Sequence, residues 1–215
     1  MKKELQQVIN DINKYKTVPE VTLVGVSKTR TIAEINKLVA LGITNLGENR
    51  PQELRDKYDL IKNVKWHMIG RLQENKIKYV IERACLIHSG ASLKLIKAIN
   101  KEALKYKLVK DILIQINTSD EESKQGFNLD ELADILIECQ ALSNINVVGL
   151  MVMAPLVEDD DLIEETFKKA KEAYDLYQDL YQFKYLSMGM SHDYRLALKC
   201  GANMLRIGSL LFEED

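Results

Sequence analysis

The hydrophobic positions of the chain follow two alternating spacings. Short runs in which almost every residue is apolar predict buried strands, and longer stretches with apolar residues three or four positions apart predict amphipathic helices. The predicted strands span, in chain order, about 21–27, 44–48, 65–70, 85–88, 111–117, 147–153, 185–190 and 203–208. A helix is predicted after each of the first seven. Strands that are apolar throughout and separated by helices are typical of a parallel sheet covered on both faces.

Eight strand units predict an α/β protein with one domain, a (β/α)8 TIM barrel formed by residues 1–215. Residues 2–14 carry apolar side chains on one helical face, which predicts a lead-in helix that covers the gap left by a very short last helix. The alternative is an open doubly wound sheet. No predicted strand is followed by Gly-x-Gly-x-x-Gly or by a Gly-Lys-Ser/Thr phosphate loop, which favours the barrel.

Capping residues predict several helix ends. Thr31 and Glu34 have the spacing of a capping box and predict a helix start, and Gly42 predicts the end of that helix. Ser191 is predicted to cap the short helix after the seventh strand. The acidic residues 158–161 suit a helix N-terminus, and we interpret them as a cap region rather than as a metal site.

Composition indicates an ordinary globular protein, with 46% hydrophobic and 29% charged residues. The formal net charge of -2 argues against nucleic acid as the main partner. The charge is uneven, because residues 1–110 carry 22 Lys and Arg against 11 Asp and Glu, whereas residues 111–215 carry 8 against 21. This asymmetry is compatible with self-association, with attraction of an anionic ligand, or simply with solvated charge scattered over the surface.

Cys85, Cys139 and Cys200 are widely spaced and predict neither a disulfide framework nor a metal site. The N-terminus lacks the apolar core of a secretory signal, and no run of residues reaches the length of a membrane span. A cytoplasmic protein without membrane contact is therefore expected.

Polar side chains gather at the predicted strand ends, where barrel enzymes place their chemistry. Lys28 follows the first strand and precedes a helix start, and a lysine at such a position can serve as a Schiff-base amine. The plainer interpretation is a solvated lysine in a turn. His67 lies inside an apolar strand, and we interpret it as a core histidine with satisfied hydrogen bonds.

The loops after the seventh and eighth strands have the composition of a phosphate site. They read Ser187-Met188-Gly189-Met190-Ser191 and Arg206-Ile207-Gly208-Ser209. Glycines let backbone amides approach an anion closely, and the hydroxyl groups of Ser191 and Ser209 can donate to it. A lysine that faces phosphate-binding loops suggests a phosphorylated aldehyde as ligand, and pyridoxal 5'-phosphate (PLP) is the commonest cofactor of that kind.

The sequence closely resembles the YggS/PROSC-type pyridoxal phosphate homeostasis proteins. The motifs that carry the resemblance are Val26-Ser27-Lys28, Gly47-Glu48-Asn49, Trp66 to Lys76, Gln115-Ile116-Asn117, Gly149-Leu150-Met151, Ser187 to Ser191 and Arg206-Ile207-Gly208. They occur in the family's order and cover nearly the whole chain. The family usually ends in Ile-Phe-Gly, whereas this chain has Leu211-Phe212-Glu213, a departure beyond the binding loops.

The resemblance implies a PLP-binding barrel like the N-terminal domain of alanine racemase, with Lys28 as the Schiff-base lysine. It implies that Asn49 and Met188 lie near the cofactor ring. The positions that match phosphate contacts are Ser191, Gly208 and Ser209. Arg206 would approach either the pyridine nitrogen or the phosphate, and the sequence does not separate the two.

The family resemblance implies a carrier that buffers or delivers PLP inside the cell, with PLP-dependent apo-enzymes as candidate recipients and without established catalytic turnover. A PLP-dependent amino acid racemase is the first alternative, and it needs acid/base groups on both faces of the substrate. A cofactor-free aldolase that uses Lys28 is the second; it predicts carboxylates around the lysine, and Glu48 is the evident candidate. A monomer is expected because the chain predicts neither a second domain nor a coiled coil.

Overall fold

The chain is described by a computed structural model that covers residues 1–118 and 125–212. The strands are β1 Thr22–Val26, β2 Asn45–Glu48, β3 Lys65–Met68, β4 Ala84–Gly90, β5 Lys110–Asn117, β6 Phe127–Asn128, β7 Ile145–Met151, β8 Tyr185–Ser187 and β9 Met204–Ile207. The α-helices are α1 Lys2–Tyr15, α2 Ile32–Ala40, α3 Pro51–Tyr58, α4 Leu93–Lys105, α5 Leu132–Gln140, α6 Asp160–Tyr181, α7 Tyr194–Lys199 and α8 Ser209–Phe212. Two 3-10 helices span Glu74–Tyr79 and Leu129–Glu131. Much of the polar segment Thr118 to Phe127 and the residue Glu213 of the C-terminal departure lie outside the described residues.

Eight parallel strands close into a barrel. The order is β1, β2, β3, β4, β5, β7, β8 and β9, and β9 pairs with β1 to complete the circle. The short β6 adds to the end of β5 through Ile116 and Phe127. A closed circle of parallel strands with intervening helices is a (β/α)8 barrel, so the predicted fold is confirmed and the open doubly wound sheet is ruled out.

Apolar side chains fill two separate layers. The smaller layer lies inside the barrel and consists of Val24, Leu86, Leu113, Val148, Met151 and Met204. The larger layer lies between the strands and the helices. Because neighbouring residues of a strand point to opposite faces, each strand supplies both layers, and this explains why the strands are apolar throughout.

The lead-in helix α1 closes the side of the barrel next to the four-residue helix α8, as the sequence predicts. Its residue Asp11 accepts hydrogen bonds from the Tyr194 hydroxyl at 2.6 Å and from Arg195 Nε at 2.8 Å. Both partners lie in α7. These contacts fix the helix across a position where the barrel would otherwise expose its outer apolar layer.

The predicted capping box at Thr31 is confirmed, since its Oγ1 accepts from the Glu34 amide and its own amide donates to the Glu34 carboxylate. Gly42 has a φ of +97°, as expected for a residue that ends a helix. The Asp159 side chain caps α6 by accepting from two backbone amides, which confirms the prediction that the acidic run forms a cap region.

One predicted helix has a different form. The segment after β3 forms the 3-10 helix Glu74–Tyr79 instead of an α-helix, although Ile77, Val80 and Ile81 are buried as the pattern suggests. Its backbone bonds span three residues, for example from the Val80 amide to the Ile77 carbonyl. Apolar spacing of three and four residues fits either helix type, so the pattern alone does not separate them. Among the described residues, no helix is both long and apolar enough to cross a membrane.

Candidate functional site

A cavity of about 400 Å³ opens at the carboxyl ends of the strands. Its described lining consists of Val26, Lys28, Asn49, Ile69, Gly70, Arg71, Gln115, Gln125, Met151, Met153, Met190, Ser191, His192, Arg206, Gly208 and Ser209. This volume is in the range of small-molecule and cofactor sites. Six of the seven predicted site residues therefore meet in one cavity, and Met188 is the exception.

Met188 does not line the cavity. Its side chain is fully buried in the layer between the strands and the helices. The physical reason is the alternation of side chains at the end of β8, where Ser187 points into the barrel and the next residue points outward. Met151, Met153 and Met190 supply methionine side chains to the cavity instead.

Lys28 is exposed in the turn between β1 and α2. The residues on both sides of it are held in place. The Ser27 hydroxyl donates to Glu48 Oε1 at 2.7 Å, and the Thr29 amide donates to Glu53 Oε2 at 3.1 Å. Thr29 has a φ of +62°, an uncommon conformation for a β-branched residue. The lysine is thus solvent-accessible on a backbone that its neighbours fix.

Glu48 belongs to a buried ion pair behind this turn, not to the cavity. Its side chain is fully buried, and its Oε1 also accepts from Lys57 Nζ at 2.7 Å. Burial raises the pKa of Glu48, and the hydrogen bonds from Lys57 and Ser27 counteract that rise in part. No aspartate or glutamate belongs to the described cavity lining, so the carboxylates that the aldolase alternative requires are not beside Lys28 there.

Ser191 links the two predicted phosphate loops. Its Oγ accepts from the Gly208 amide at 3.3 Å and from the Leu210 amide at 3.5 Å. The prediction that Ser191 caps α7 is wrong, because α7 begins at Tyr194 and Asp193 occupies the N-cap position. The Asp193 carboxylate accepts from the Met190 amide, which turns the chain before the helix and leaves Ser191 at the cavity.

Arg206 forms the buried, cationic part of the cavity. Its Nη1 donates to Ser187 Oγ at 2.6 Å, and its Nη2 donates to the Val152 carbonyl at 3.0 Å. Burial lowers the pKa of Arg206 to about 10, so the guanidinium keeps its charge at neutral pH. A guanidinium has five N–H donors, and those that remain can serve a ligand in the cavity.

Polar side chains from five strands form a continuous set of hydrogen bonds inside the barrel, which we call the interior chain. Its members are Asn45, His67, His88, Ser187 and Arg206. Asn45 Oδ1 lies 3.1 Å from His67 Nε2, and His67 Nδ1 lies 3.0 Å from His88 Nε2. His88 Nδ1 lies 3.0 Å from Ser187 Oγ, which also binds Arg206. The chain connects the interior of the barrel with the cavity.

Both histidines of the interior chain are neutral at physiological pH. Burial lowers the pKa of His67 to about 4 and moves the pKa of His88 well below its usual value. Every ring nitrogen of the pair has a partner, so the interpretation of His67 as a satisfied core histidine is confirmed.

Sequence reasoning gave no site role to His88, Gln115, Arg71 and His192, although Arg71 and Gln115 belong to the motifs that carry the resemblance and Arg71 follows a predicted strand. His88 belongs to the interior chain, and the other three line the cavity. His88 and Gln115 share a strand face with an interior leucine two residues before them, Leu86 and Leu113 respectively. A polar side chain within an otherwise apolar predicted strand is the signal that could have found them.

The described residues contain no group of three or more His, Cys, Asp or Glu side chains that could hold a metal ion. The lining of the cavity presents the amine of Lys28, the hydroxyl groups of Ser191 and Ser209, loop amides and the buried guanidinium of Arg206. This set of donors suits an anionic molecule that carries an electrophilic carbon.

The sequence and the fold are similar to those of named proteins. A family model of the alanine racemase N-terminal domain matches residues 4–214. A pyridoxal phosphate homeostasis protein of Aquifex aeolicus is 40% identical over 196 residues, which cover 89% of this chain and 86% of that protein. One of Helicobacter pylori is 34% identical over an alignment of 221 positions, which covers 99% of this chain and 98% of that protein. The structure of PipY of Synechococcus elongatus with PLP bound has a TM-score of 0.87 at 28% identity and covers 99% of both chains.

Proposed function

The chain belongs to the pyridoxal phosphate homeostasis protein family, whose barrel is that of the alanine racemase N-terminal domain, and from this premise we propose that it binds PLP and takes part in intracellular PLP homeostasis. The resemblance predicted from the sequence motifs is thereby confirmed. The proposal places this role in the cytoplasm, with a monomer as the acting form and PLP-dependent apo-enzymes as recipients.

The residues of the cavity fit PLP by their chemistry. PLP supplies an aldehyde that reacts reversibly with amines, a phosphate dianion and a pyridine nitrogen. Lys28 offers the amine, and it would hold the aldehyde carbon covalently. The hydroxyl groups of Ser191 and Ser209 offer donors for the phosphate, and the Gly208 amide lies beside them, bound to Ser191 Oγ at 3.3 Å. Asn49 and Arg206 add a side-chain amide and a guanidinium to the lining, and they would lie near the ring.

The observation that carries this proposal is the meeting of Lys28 with the loops of Ser191 and Gly208 in one cavity. These residues follow β1, β8 and β9, which lie side by side in the barrel although β1 is far from the other two in sequence. A solvated lysine in an unrelated turn would have no reason to face a cluster of hydroxyl and amide donors.

The described lining of the cavity supports a carrier over a two-base racemase. A two-base racemase needs a second acid/base group on the opposite face of the substrate. No tyrosine belongs to the described cavity lining, and the tyrosines of α6 lie at helical spacing against the outer layer. The cavity therefore has the features of a reversible holding site.

The test is the absorption spectrum of the purified protein with added PLP, for the wild type, Lys28→Ala and the control Lys37→Ala, which changes an exposed lysine of α2. We expect a visible band in the wild type and the control but not in Lys28→Ala, and borohydride fixation with peptide mapping should place the adduct on Lys28. An adduct spread over surface lysines would refute the assignment. Incubation with L-alanine then tests for racemisation.

A further inference from the structure

The interior chain has a direction that can be read from its Arg206 end. A guanidinium only donates, so Ser187 Oγ accepts from Arg206 at 2.6 Å. The hydroxyl proton of Ser187 is then available for His88 Nδ1, which lies 3.0 Å away. The Ser187 hydroxyl can donate to His88 only if His88 Nδ1 carries no proton and acts as the acceptor.

The Asn45 end gives the same direction independently. The amide oxygen of Asn45 accepts, so His67 Nε2 carries the proton of that bond. His67 Nδ1 is then an acceptor, and His88 Nε2 donates to it across 3.0 Å. Both ends therefore require two neutral imidazoles that carry their protons on Nε2.

We propose that the interior chain is polarised in this one direction and positions Arg206 for the ligand of the cavity. Only the identity of that ligand as PLP rests on the proposed function. Asn45, His67, His88 and Ser187 are not among the described residues that line the cavity, so they act through Arg206 as positioning residues.

The geometry explains how the chain positions the guanidinium. Ser187 Oγ in β8 holds Nη1 and the Val152 carbonyl just after β7 holds Nη2, so two anchors from different parts of the barrel determine the orientation of the side chain. A donor that is already oriented loses less conformational freedom when a ligand binds. Ser187 can serve as an acceptor for Arg206 because its own proton is directed to His88.

The charges around the two rings keep the chain in this state. The cations that act on the rings are Lys65 near His67 and Arg206 near His88, and both disfavour a further proton. A proton added to His67 Nδ1 would place two ring donors opposite each other, and a proton added to His88 Nδ1 would force the hydroxyl proton of Ser187 to turn away. It would also add a second positive charge beside Arg206.

Nitrogen-15 NMR of the full chain without PLP tests the tautomers directly. Of the three histidines, His192 is exposed and is identified by the variant His192→Gln. We expect His67 and His88 to show the neutral Nε2–H pattern and to keep it from pH 8 to pH 5.5. An Nδ1–H tautomer in either ring, or titration of either ring in that range, would overturn the proposal.

Two variants perturb the interior chain, one at Ser187 beside Arg206 and the other at the opposite end, at Asn45. Ser187→Ala should change the Nδ1 signal of His88, whereas the control Ser89→Ala should not, because the Ser89 hydroxyl is buried on β4 and has no hydrogen-bond partner in the described structure. Asn45→Asp should raise the pKa of His67, since a carboxylate stabilises the charged ring. A His88 signal unchanged by Ser187→Ala would refute the hydrogen bond between Ser187 and His88, and with it the proposed interior chain.

Binding of PLP separates this proposal from the proposed function. Ser187→Ala should raise the dissociation constant for PLP about tenfold, which corresponds to about 1.4 kcal/mol, while Ser89→Ala leaves it unchanged. An unchanged constant in Ser187→Ala would refute the positioning role. If the wild type did not bind PLP at all, the proposed function would fail, whereas the NMR results would still decide the direction of the chain.

Discussion

Replacement of Lys57 with alanine would leave a buried carboxylate without its cation. Lys57 Nζ donates to Glu48 Oε1 at 2.7 Å, to Glu53 Oε2 at 3.0 Å and to the Ser27 carbonyl at 2.9 Å. The side chain of Glu48 is fully buried, and that of Lys57 is 10% exposed. The free energy of unfolding of this variant therefore measures how strongly the ion pair stabilises the turn that carries Lys28.

The expected loss of unfolding free energy is about 3 kcal/mol at pH 7. Removal of one partner from a buried ion pair typically costs about 3–5 kcal/mol, because the other charge stays buried without compensation. The lower end applies here, since the Ser27 hydroxyl still donates to Glu48. A second change, Glu48→Gln, should recover most of the loss because a buried amide carries no charge.

The loss should shrink in acid. Burial already raises the pKa of Glu48, and removal of Lys57 takes away a hydrogen bond and a charge that lower it. A carboxyl group with a higher pKa in the folded state binds its proton first in that state, so the penalty is complete above the folded pKa and declines as the pH falls through it.

Urea unfolding at pH 7 and pH 5, followed by the fluorescence of the buried Trp66, measures both effects. The control is Lys62→Ala, since Lys62 is 69% exposed and lies 3.7 Å from Asp59. Its loss should stay within about 0.5 kcal/mol. A loss below about 1 kcal/mol for Lys57→Ala, or an equal loss at both pH values, would refute the reasoning about Glu48.

Two further predictions concern other parts of the barrel. Gly149 has a φ of +148°, and a Cβ there would lie 1.9 Å from the Tyr185 carbonyl oxygen, so Gly149→Ala should cost at least about 3 kcal/mol in thermal unfolding. The matched Gly42→Ala, with a φ of +97° but open space, should cost about 1–2 kcal/mol, and equal losses would contradict this account. Burial opposes ionisation of Asp11, but the hydrogen bonds from Tyr194 and Arg195 outweigh it and lower the pKa of Asp11. Its stabilisation should thus persist above the unfolded pKa and disappear as the pH falls through the folded pKa, so the gap in melting temperature between the wild type and Asp11→Ala should close in acid.

The strands and most helix ends could be predicted from the sequence because they depend on local chemistry. Thr31 and Glu34 form their capping box within four residues, and Gly42 needs only its own φ. The closed barrel followed from counting strand units. The 3-10 form of Glu74–Tyr79 could not be predicted, because its apolar spacing fits both helix types.

The direction of side chains at strand ends was harder to predict for a physical reason. In a barrel both faces of a strand are buried, so the alternation of polar and apolar residues that marks a solvent face is absent. Met188 and Ser187 could not be separated by pattern, and one points outward while the other binds Arg206 inside. The hydrogen bonds of the interior chain join side chains that are far apart in sequence, from Asn45 to Arg206, so no local pattern predicts them.

Two hydrogen-bonded networks with different chemistry support the two cationic residues of the cavity for which we infer a role, Lys28 and Arg206. The buried ion pair of Glu48 and Lys57 fixes the turn of Lys28 through Ser27. The neutral interior chain fixes Arg206 through Ser187, which also bonds to His88. Because both networks are buried, ligand exchange at the cavity need not disturb them. Lys28 itself remains exposed, so an amine that arrives from solvent can approach the same carbon that Lys28 would hold. A fixed cavity with an accessible lysine matches reversible retention better than two-base racemisation, which needs a positioned acid or base on each face of its substrate.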